Sequence, residues 1–188
     1  MTKINPMVIV LAIIVLIATF VIKIYNNFVR KTKLSDEAWS GVDVQLKRRY
    51  DLVPNLVETV KGYAKHEQKT LKEVVELRNA AQSAKTPDAK ARAENNFSVG
   101  LRSIFALSEN YPNLKADANF RELQKELTSM ENEIGKARDY YNATVRELNI
   151  MIDSFPSNLI GKTFGFKEKK FFEIADAAQR EPVKVKFD

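Results

Sequence analysis

The segment INPMVIVLAIIVLIATFVI, residues 4–22, carries no charged side chain and is followed directly by Lys23. Nineteen residues of α-helix rise about 28 Å, which is enough to cross the hydrocarbon layer of a bilayer with little tilt. The apolar run is longer than that of a cleaved signal peptide, and residues 25–28, Tyr-Asn-Asn-Phe, follow it in place of a small-residue cleavage site. We therefore predict an uncleaved, single-pass transmembrane helix over residues 4–24.

The side chains expected to contact lipid come from this helix and from the residues just beyond it. Apolar side chains face the acyl chains, aromatic rings favour the interface, and basic side chains attract anionic headgroups. The predicted membrane-anchoring residues are Met7, Val10, Leu11, Ile14, Phe20, Lys23, Tyr25, Arg30, Lys31 and Lys33.

The distribution of Lys and Arg predicts the orientation of this helix. Lys3 is the only basic side chain before it, whereas Lys23, Arg30, Lys31 and Lys33 follow it before the first acidic residue. Because short cytoplasmic flanks are enriched in Lys and Arg, the count places the large domain in the cytoplasm. A location outside the cytoplasm is the alternative.

The rest of the chain has the composition of a soluble domain. Of 188 residues, 45% are hydrophobic and 29% are charged, and 30 basic minus 24 acidic side chains give a net charge of +6. The chain has no cysteine, which excludes disulfides, thiol nucleophiles and cysteine-ligated metals, and its single histidine, His66, is expected on a helix surface. Because the four basic residues beside the membrane supply most of the excess charge, we predict no nucleic-acid binding.

Two short motifs resemble parts of catalytic or binding sites, and both are incomplete. His66 and Glu67 match the start of a zinc-protease helix, but Thr70 stands where the second histidine is required. Residues 161–163, Gly-Lys-Thr, match the end of a phosphate-binding loop, but Pro156 stands where its first glycine is required. The sequence therefore predicts no catalytic residues, no cofactor, no metal and no small-molecule substrate.

Apolar residues recur at spacings of three and four along three segments, which predicts three long amphipathic helices. The segments are residues 34–84, about 88–110, and the stretch between Pro112 and Pro156, where Asp117 and Asn119 are candidate caps. Short connections between long helices predict an antiparallel up-and-down bundle over residues 25–163, continuous with the transmembrane helix. The predicted fold class is all-α.

Pro54 lies inside the first of these segments. A proline removes one backbone hydrogen bond and clashes with the carbonyl four residues earlier, so we predict a kink or a break near residues 50–53. Carboxylate–guanidinium pairs would fix such a kink, and a hinge or partner groove is the alternative role. The predicted kink and packing residues are Trp39, Arg48, Arg49, Asp51, Pro54 and Asn55.

Residues 164–188 form an aromatic and basic tail. Its phenylalanines are predicted to close the end of the bundle, and docking on a membrane or a partner is the alternative. The tail ends in a period-two pattern that predicts a short β-like strand containing Val183, Val185 and Phe187. Such a strand has no partner within a helical fold, so it is either disordered or pairs with other copies of the chain.

Several sequence blocks resemble the bacterial LemA family. They include Glu-Ala-Trp-Ser at residues 37–40, QLKRRYDLVPNLV at residues 45–57, Asn-Phe-Arg-Glu-Leu-Gln at residues 119–124 and Phe-Pro-Ser-Asn-Leu-Ile at residues 155–160. The resemblance implies a membrane-anchored antiparallel helical bundle and brings no established reaction. Some relatives carry a lipoprotein cysteine where Ile24 stands, which implies the extracytoplasmic location instead.

These features predict a non-enzymatic, membrane-anchored scaffold or interaction protein that self-assembles at the bacterial cytoplasmic membrane. The expected partners are membrane lipids, other copies of the chain and another membrane protein. The alternative function is an adaptor or regulator of another membrane protein, such as a membrane protease in envelope stress.

Overall fold

A single helix of 58 residues, α1, runs from Pro6 to Tyr63 and joins the apolar segment to the charged part of the chain without interruption. The computed structural model describes residues 5–173, which contain no β-strand. This confirms the all-α fold class and the continuity of the apolar helix with the first helix of the bundle. The five further helices are α2 (Gln68–Ser83), α3 (Pro87–Ser108), α4 (Pro112–Ala116), α5 (Ala118–Asp153) and α6 (Ser157–Phe164).

The chain divides into two compact units, each with its own part of α1 and α5. Among the described residues, the first unit comprises residues 5–40 and 140–169, and the second comprises residues 41–139 and 170–173.

In the second unit, α5 runs antiparallel to α1. The Tyr63 hydroxyl donates to Asp117 at 2.8 Å, while Arg49, further back on α1, forms an ion pair with Glu131, further on along α5. By contrast, α3 runs parallel to α1. Helix α2 follows α1 in the chain, runs in the opposite direction and is joined to α3 by three residues. The unit is therefore an up-down-up-down bundle of four helices. The up-and-down arrangement was predicted with three helices, and that count is wrong because residues 34–84 form α1 and α2 instead of one helix.

The apolar seams of these helices form the core of the second unit. Side chains at spacings of three and four are withdrawn from water, and each helix contributes some of them. The core includes Val42, Leu46, Val53, Leu56, Val60, Val74, Ala81, Phe97, Ile104, Leu114, Phe120, Leu127 and Ile134.

Helix α5 begins and ends where local signals predict. The Asp117 carboxylate accepts the backbone N–H of Phe120 at 2.9 Å, which satisfies one of the amide groups left free at the helix start. This hydrogen bond and a second one from Tyr63 lower the pKa of Asp117. The helix ends at Asp153, three residues before Pro156. The short helix α4, which precedes Asp117, is an element that the periodicity does not predict.

Pro54 predicts a kink or a break near residues 50–53, and no break is present there. Helix α1 continues through Pro54 to Tyr63, and the chain leaves the helix only at residues 64–67. Pro54 has no N–H to donate to the Tyr50 carbonyl, and the Nε–H of Arg78 on α2 donates to that oxygen at 2.8 Å instead. A side chain from a neighbouring helix therefore replaces the missing backbone hydrogen bond.

Because the Arg78 side chain replaces the missing backbone donor, the effects of changing Pro54 and Arg78 on stability should be coupled. Removing the guanidinium in Arg78→Ala leaves the Tyr50 carbonyl without its donor and should cost about 1–3 kcal/mol of unfolding free energy. In a Pro54→Ala background the backbone N–H is restored, so the same Arg78→Ala change should cost much less. Urea denaturation of the four proteins measures the coupling. Equal costs in both backgrounds would contradict this role of Arg78.

Candidate functional site

The apolar part of α1 has the properties of a membrane span. Its most apolar window of 18 residues has a mean hydropathy of 3.1, and none of that window is buried within the chain. A soluble protein covers an apolar helix of this length with other elements, so its complete exposure distinguishes it from a core helix. The predicted lipid-facing residues Met7, Val10, Leu11, Ile14 and Phe20 are all exposed on this candidate span.

The basic residues after the span differ in their surroundings. Lys31 forms an ion pair with Glu147 of α5 at 2.7 Å, and its ammonium group lowers the pKa of that carboxyl. Arg30 donates to the side-chain oxygen of Asn27 at 3.0 Å. Lys23 and Lys33 are exposed.

A short helix packs beside the base of the span. Gly161 of α6 lies so close to α1 that an added Cβ would stand 3.0 Å from the ring of Phe28. Just after α6, the ring of Phe166 stacks on Phe28 at 4.7 Å, and the ring of Phe164 meets Tyr25 edge-on at 4.9 Å. Within the first unit, two of the tail phenylalanines therefore cover α1 directly beyond the apolar segment.

Two backbone features hold the chain in this position after α6. Gly165 adopts a φ of 74°, in the left-handed region that favours glycine. The N–H of Phe166 donates to the carbonyl of Gly161 at 3.0 Å, and these two features cap the C-terminal end of α6. The side chain of Asn149 then makes two hydrogen bonds to the backbone of Lys169, at 2.9 and 3.0 Å. The returning chain is thereby fixed against α5.

A second site is a cluster of charged side chains inside the four-helix unit. The guanidinium of Arg49 is only 2% exposed and forms ion pairs with Glu94 of α3 and Glu131 of α5. Glu94 also accepts the hydroxyl of Tyr50, and the guanidinium lies over the ring of Phe97 at 5.1 Å. The cluster ties three helices together at one level of the bundle.

Burial perturbs the ionisation of this cluster. Withdrawal from water raises the pKa of Glu94, while Arg49 and the Tyr50 hydroxyl act in the opposite direction. The pKa of Tyr50 is also raised, first by burial and then by the neighbouring carboxylate of Glu94. Tyr50 therefore stays protonated and serves as a hydrogen-bond donor.

A cavity of about 60 Å³ adjoins the cluster, with room for a few water molecules. Its lining is mostly charged or polar, which suits hydration of a salt-bridge network. The lining residues are Leu46, Arg49, Ala91, Glu94, Asn95, Ser98, Arg102, Glu131, Ile134, Arg138 and Phe172. Within residues 5–173, no three His, Asp or Glu side chains are grouped in a way that could hold a metal ion.

The remaining predicted site residues lie outside this cluster. In the first unit, Trp39 packs on Tyr141 with ring centroids 5.1 Å apart. Four predicted kink residues are exposed on α1, namely Arg48, Asp51, Pro54 and Asn55. The predicted assembly strand containing Val183, Val185 and Phe187 lies outside the described residues. His66 is exposed in the turn between α1 and α2, not on a helix surface as the sequence predicts.

Glu94, Glu131 and Arg78 were not predicted as site residues from the sequence. For Glu94 a signal was present, because it takes the position between Ala91 and Phe97 on the buried face of α3. A charged residue at a core position of an amphipathic helix indicates a buried pair. No comparable signal marks Glu131 or Arg78.

The fold and these sites define a helical-bundle protein with one candidate membrane span and a buried structural salt-bridge cluster. The chain belongs to the LemA family, whose model matches residues 38–187. It is 24% identical to the magnetosome proteins MamQ 1 and MamQ 2 of Paramagnetospirillum magneticum, over 87% of this chain and 70% of each relative. It is 23% identical to the magnetosome protein MamQ of Magnetospirillum gryphiswaldense, over 87% of this chain and 69% of that relative. These findings favour a membrane-associated protein over an enzyme.

Proposed function

We propose that the protein is a non-enzymatic, membrane-anchored scaffold or interaction protein that self-assembles at the bacterial cytoplasmic membrane. The observation that carries this proposal is the uninterrupted course of α1, which contributes to both the candidate span and the four-helix bundle. Anchoring through α1 would confine each copy to the plane of the membrane, which lowers the entropy that association costs.

Within residues 5–173, the apolar surface available for assembly lies outside the seam of α5. The seam of α5 is buried inside the units, at residues such as Leu127 and Val145, so it is not free to bind another copy. Exposed apolar side chains remain at Val44 and Val99 in the second unit and at Tyr140 in the first. Confinement of the anchored chain to a membrane raises its local concentration, which favours weak contacts through such side chains.

The mass of the full-length protein in mild detergent tests this proposal. We expect a discrete oligomer by native mass spectrometry, and deletion of residues 183–188 should shrink it if the predicted strand pairs copies. A monomer of 21.5 kDa would contradict self-assembly. A one-to-one complex with a second membrane protein would favour the adaptor or regulator function instead.

We further propose that the bundle lies on the cytoplasmic side, as the Lys and Arg count favours. The natural chain has no cysteine, so the single thiol in an Arg48→Cys variant reports its own accessibility. Protection from a membrane-impermeant thiol reagent in spheroplasts, with labelling after lysis, is the expected result. Labelling before lysis would place the bundle outside the cytoplasm.

A further inference from the structure

We propose that the turn after α5 and the exposed face of α6, residues 154–164, form a second membrane contact beside the span. This segment is called the foot. It would rest on the lipid surface from which α1 emerges, with its apolar side chains in the headgroup layer. The inference depends on the proposed membrane anchoring.

The register of α5 against α1 sets the level of the foot. In the first unit, Lys31 pairs with Glu147, and the side chain of Asn27 donates to the sulfur of Met151 at 3.4 Å. A step of four residues toward the C-terminus of α5 thus corresponds to a step of four residues toward the N-terminus of α1. At this register the last residue of α5, Asp153, lies at the level of Tyr25, and the turn that contains Phe155 follows directly.

The aromatic contacts of α6 independently place it at the same distance from the end of the apolar segment. Phe164 packs against Tyr25, which lies three residues, or about 4.5 Å of helix, beyond Ile22. The headgroup layer on each side of the hydrocarbon core is about 5–7 Å thick. A span that ends at Ile22 therefore carries Tyr25 and the ring on it inside that layer.

Three large apolar side chains of the foot are mostly exposed. Phe155 is 79% exposed, Leu159 is 58% exposed and Phe164 is 53% exposed, whereas Phe28 beneath α6 is completely buried. Three large apolar side chains within ten residues are therefore exposed beside the base of the candidate span, where contact with lipid would cover them.

The orientation of α6 separates the covered face from the exposed one. Gly161 faces Phe28 on α1, and Leu159, two residues earlier, lies about 200° away around the helix. Leu159 consequently points away from α1, so this helix does not cover it and it is free to contact lipid.

The charges of the foot and its flanks favour apolar insertion over electrostatic attraction. Between residues 153 and 168, Lys162 and Lys167 are balanced by Asp153 and Glu168, so the segment has no net charge. Binding driven by the apolar residues should therefore need no anionic lipid. This property separates the foot from the basic residues on α1, which attract anionic headgroups.

Spin labels at single cysteines test the foot in the full-length chain. Phe155→Cys and Leu159→Cys proteins, reconstituted in liposomes of zwitterionic phosphatidylcholine, should collide with oxygen, which concentrates in lipid, more than with a water-soluble nickel chelate. Ile14→Cys serves as the lipid reference and Arg48→Cys as the aqueous reference, since both side chains are exposed.

Each outcome of this experiment is decisive. Oxygen-dominated collisions at residues 155 and 159 support the foot, and nickel-dominated collisions overturn it. Low accessibility to both reagents also overturns it, because the patch would then be covered by protein. If the Ile14→Cys label is itself aqueous, the anchoring proposal fails; if only the foot labels are aqueous, the foot fails alone.

A second variant tests which side chain makes the contact. Phe155→Asp, combined with the label at Leu159→Cys, should shift that label toward the aqueous reference while the helical circular dichroism is unchanged, because Phe155 is exposed and supports no core. An unchanged label environment would overturn the assignment of Phe155 to the contact.

Discussion

Arg49→Ala should lower the free energy of unfolding by about 3–5 kcal/mol, because it leaves a buried carboxylate without its guanidinium. Glu94, the partner left behind, is only 7% exposed in its side chain and would keep only the Tyr50 hydroxyl and the more distant Lys90 as compensation. The loss of the guanidinium also removes the contact over Phe97 and the bond to Glu131 on α5.

The measurement is urea denaturation of the full-length protein in mild detergent, followed by helical circular dichroism. Arg48→Ala is the matched control, since Arg48 is the exposed neighbour of the same type and its removal should change stability by less than about 0.5 kcal/mol. An Arg49→Ala protein as stable as the Arg48→Ala protein would contradict the structural role of the cluster.

Arg49→Lys separates charge from geometry in this cluster. A lysine keeps the positive charge but lacks the planar fork that allows Arg49 to reach carboxylates on two helices. We expect this variant to lie between the natural protein and Arg49→Ala in stability.

The helices could be predicted from sequence because their signals are local. The spacing of apolar residues depends only on the period of the helix, and the ends of α5 depend on an N-cap at Asp117 and a proline at Pro156. The continuity of α1 was predictable for a related reason: no helix-breaking residue separates Ile22 from Leu34.

The partners of the polar side chains could not be predicted in the same way. Arg49 was predicted to pair with a nearby carboxylate on α1, whereas its partners Glu94 and Glu131 lie on two other helices. The effect of Pro54 was likewise decided by Arg78, which reaches it across the interface between α1 and α2. Local rules give the cost of a proline or a buried charge, and only tertiary packing shows which group offsets that cost.

The position of the tail likewise depends both on local signals and on tertiary packing. Its phenylalanines were expected at one end of the bundle, and the position of Phe166 against Phe28 depends on a close approach of two backbones at Gly161. The left-handed turn at Gly165 is a local signal, but its direction toward α1 is a consequence of packing.

Phe28→Ala should detach α6 from α1, with a local loss of about 3–5 kcal/mol. The ring is completely buried, stacks on Phe166 at an interplanar angle of 15°, and fills the space opposite Gly161. Hydrogen exchange of the protein in liposomes, read by mass spectrometry, should show faster exchange in residues 157–166. Ile150→Ala is the matched control, because that exposed side chain on α5 lies outside the contact between Phe28 and Gly161 and its removal should leave this protection unchanged.

A change at Gly161 tests the same contact from the other side. Gly161→Ala alone should weaken the contact, because the new methyl group would stand 3.0 Å from the Phe28 ring. In the Phe28→Ala background the ring is gone, so the same methyl group enters the vacated space and should restore part of the protection of α6. The effect of Gly161→Ala would thus change sign between the two backgrounds. The same sign in both would show that Phe28 and Gly161 do not share the interface that holds α6 on α1.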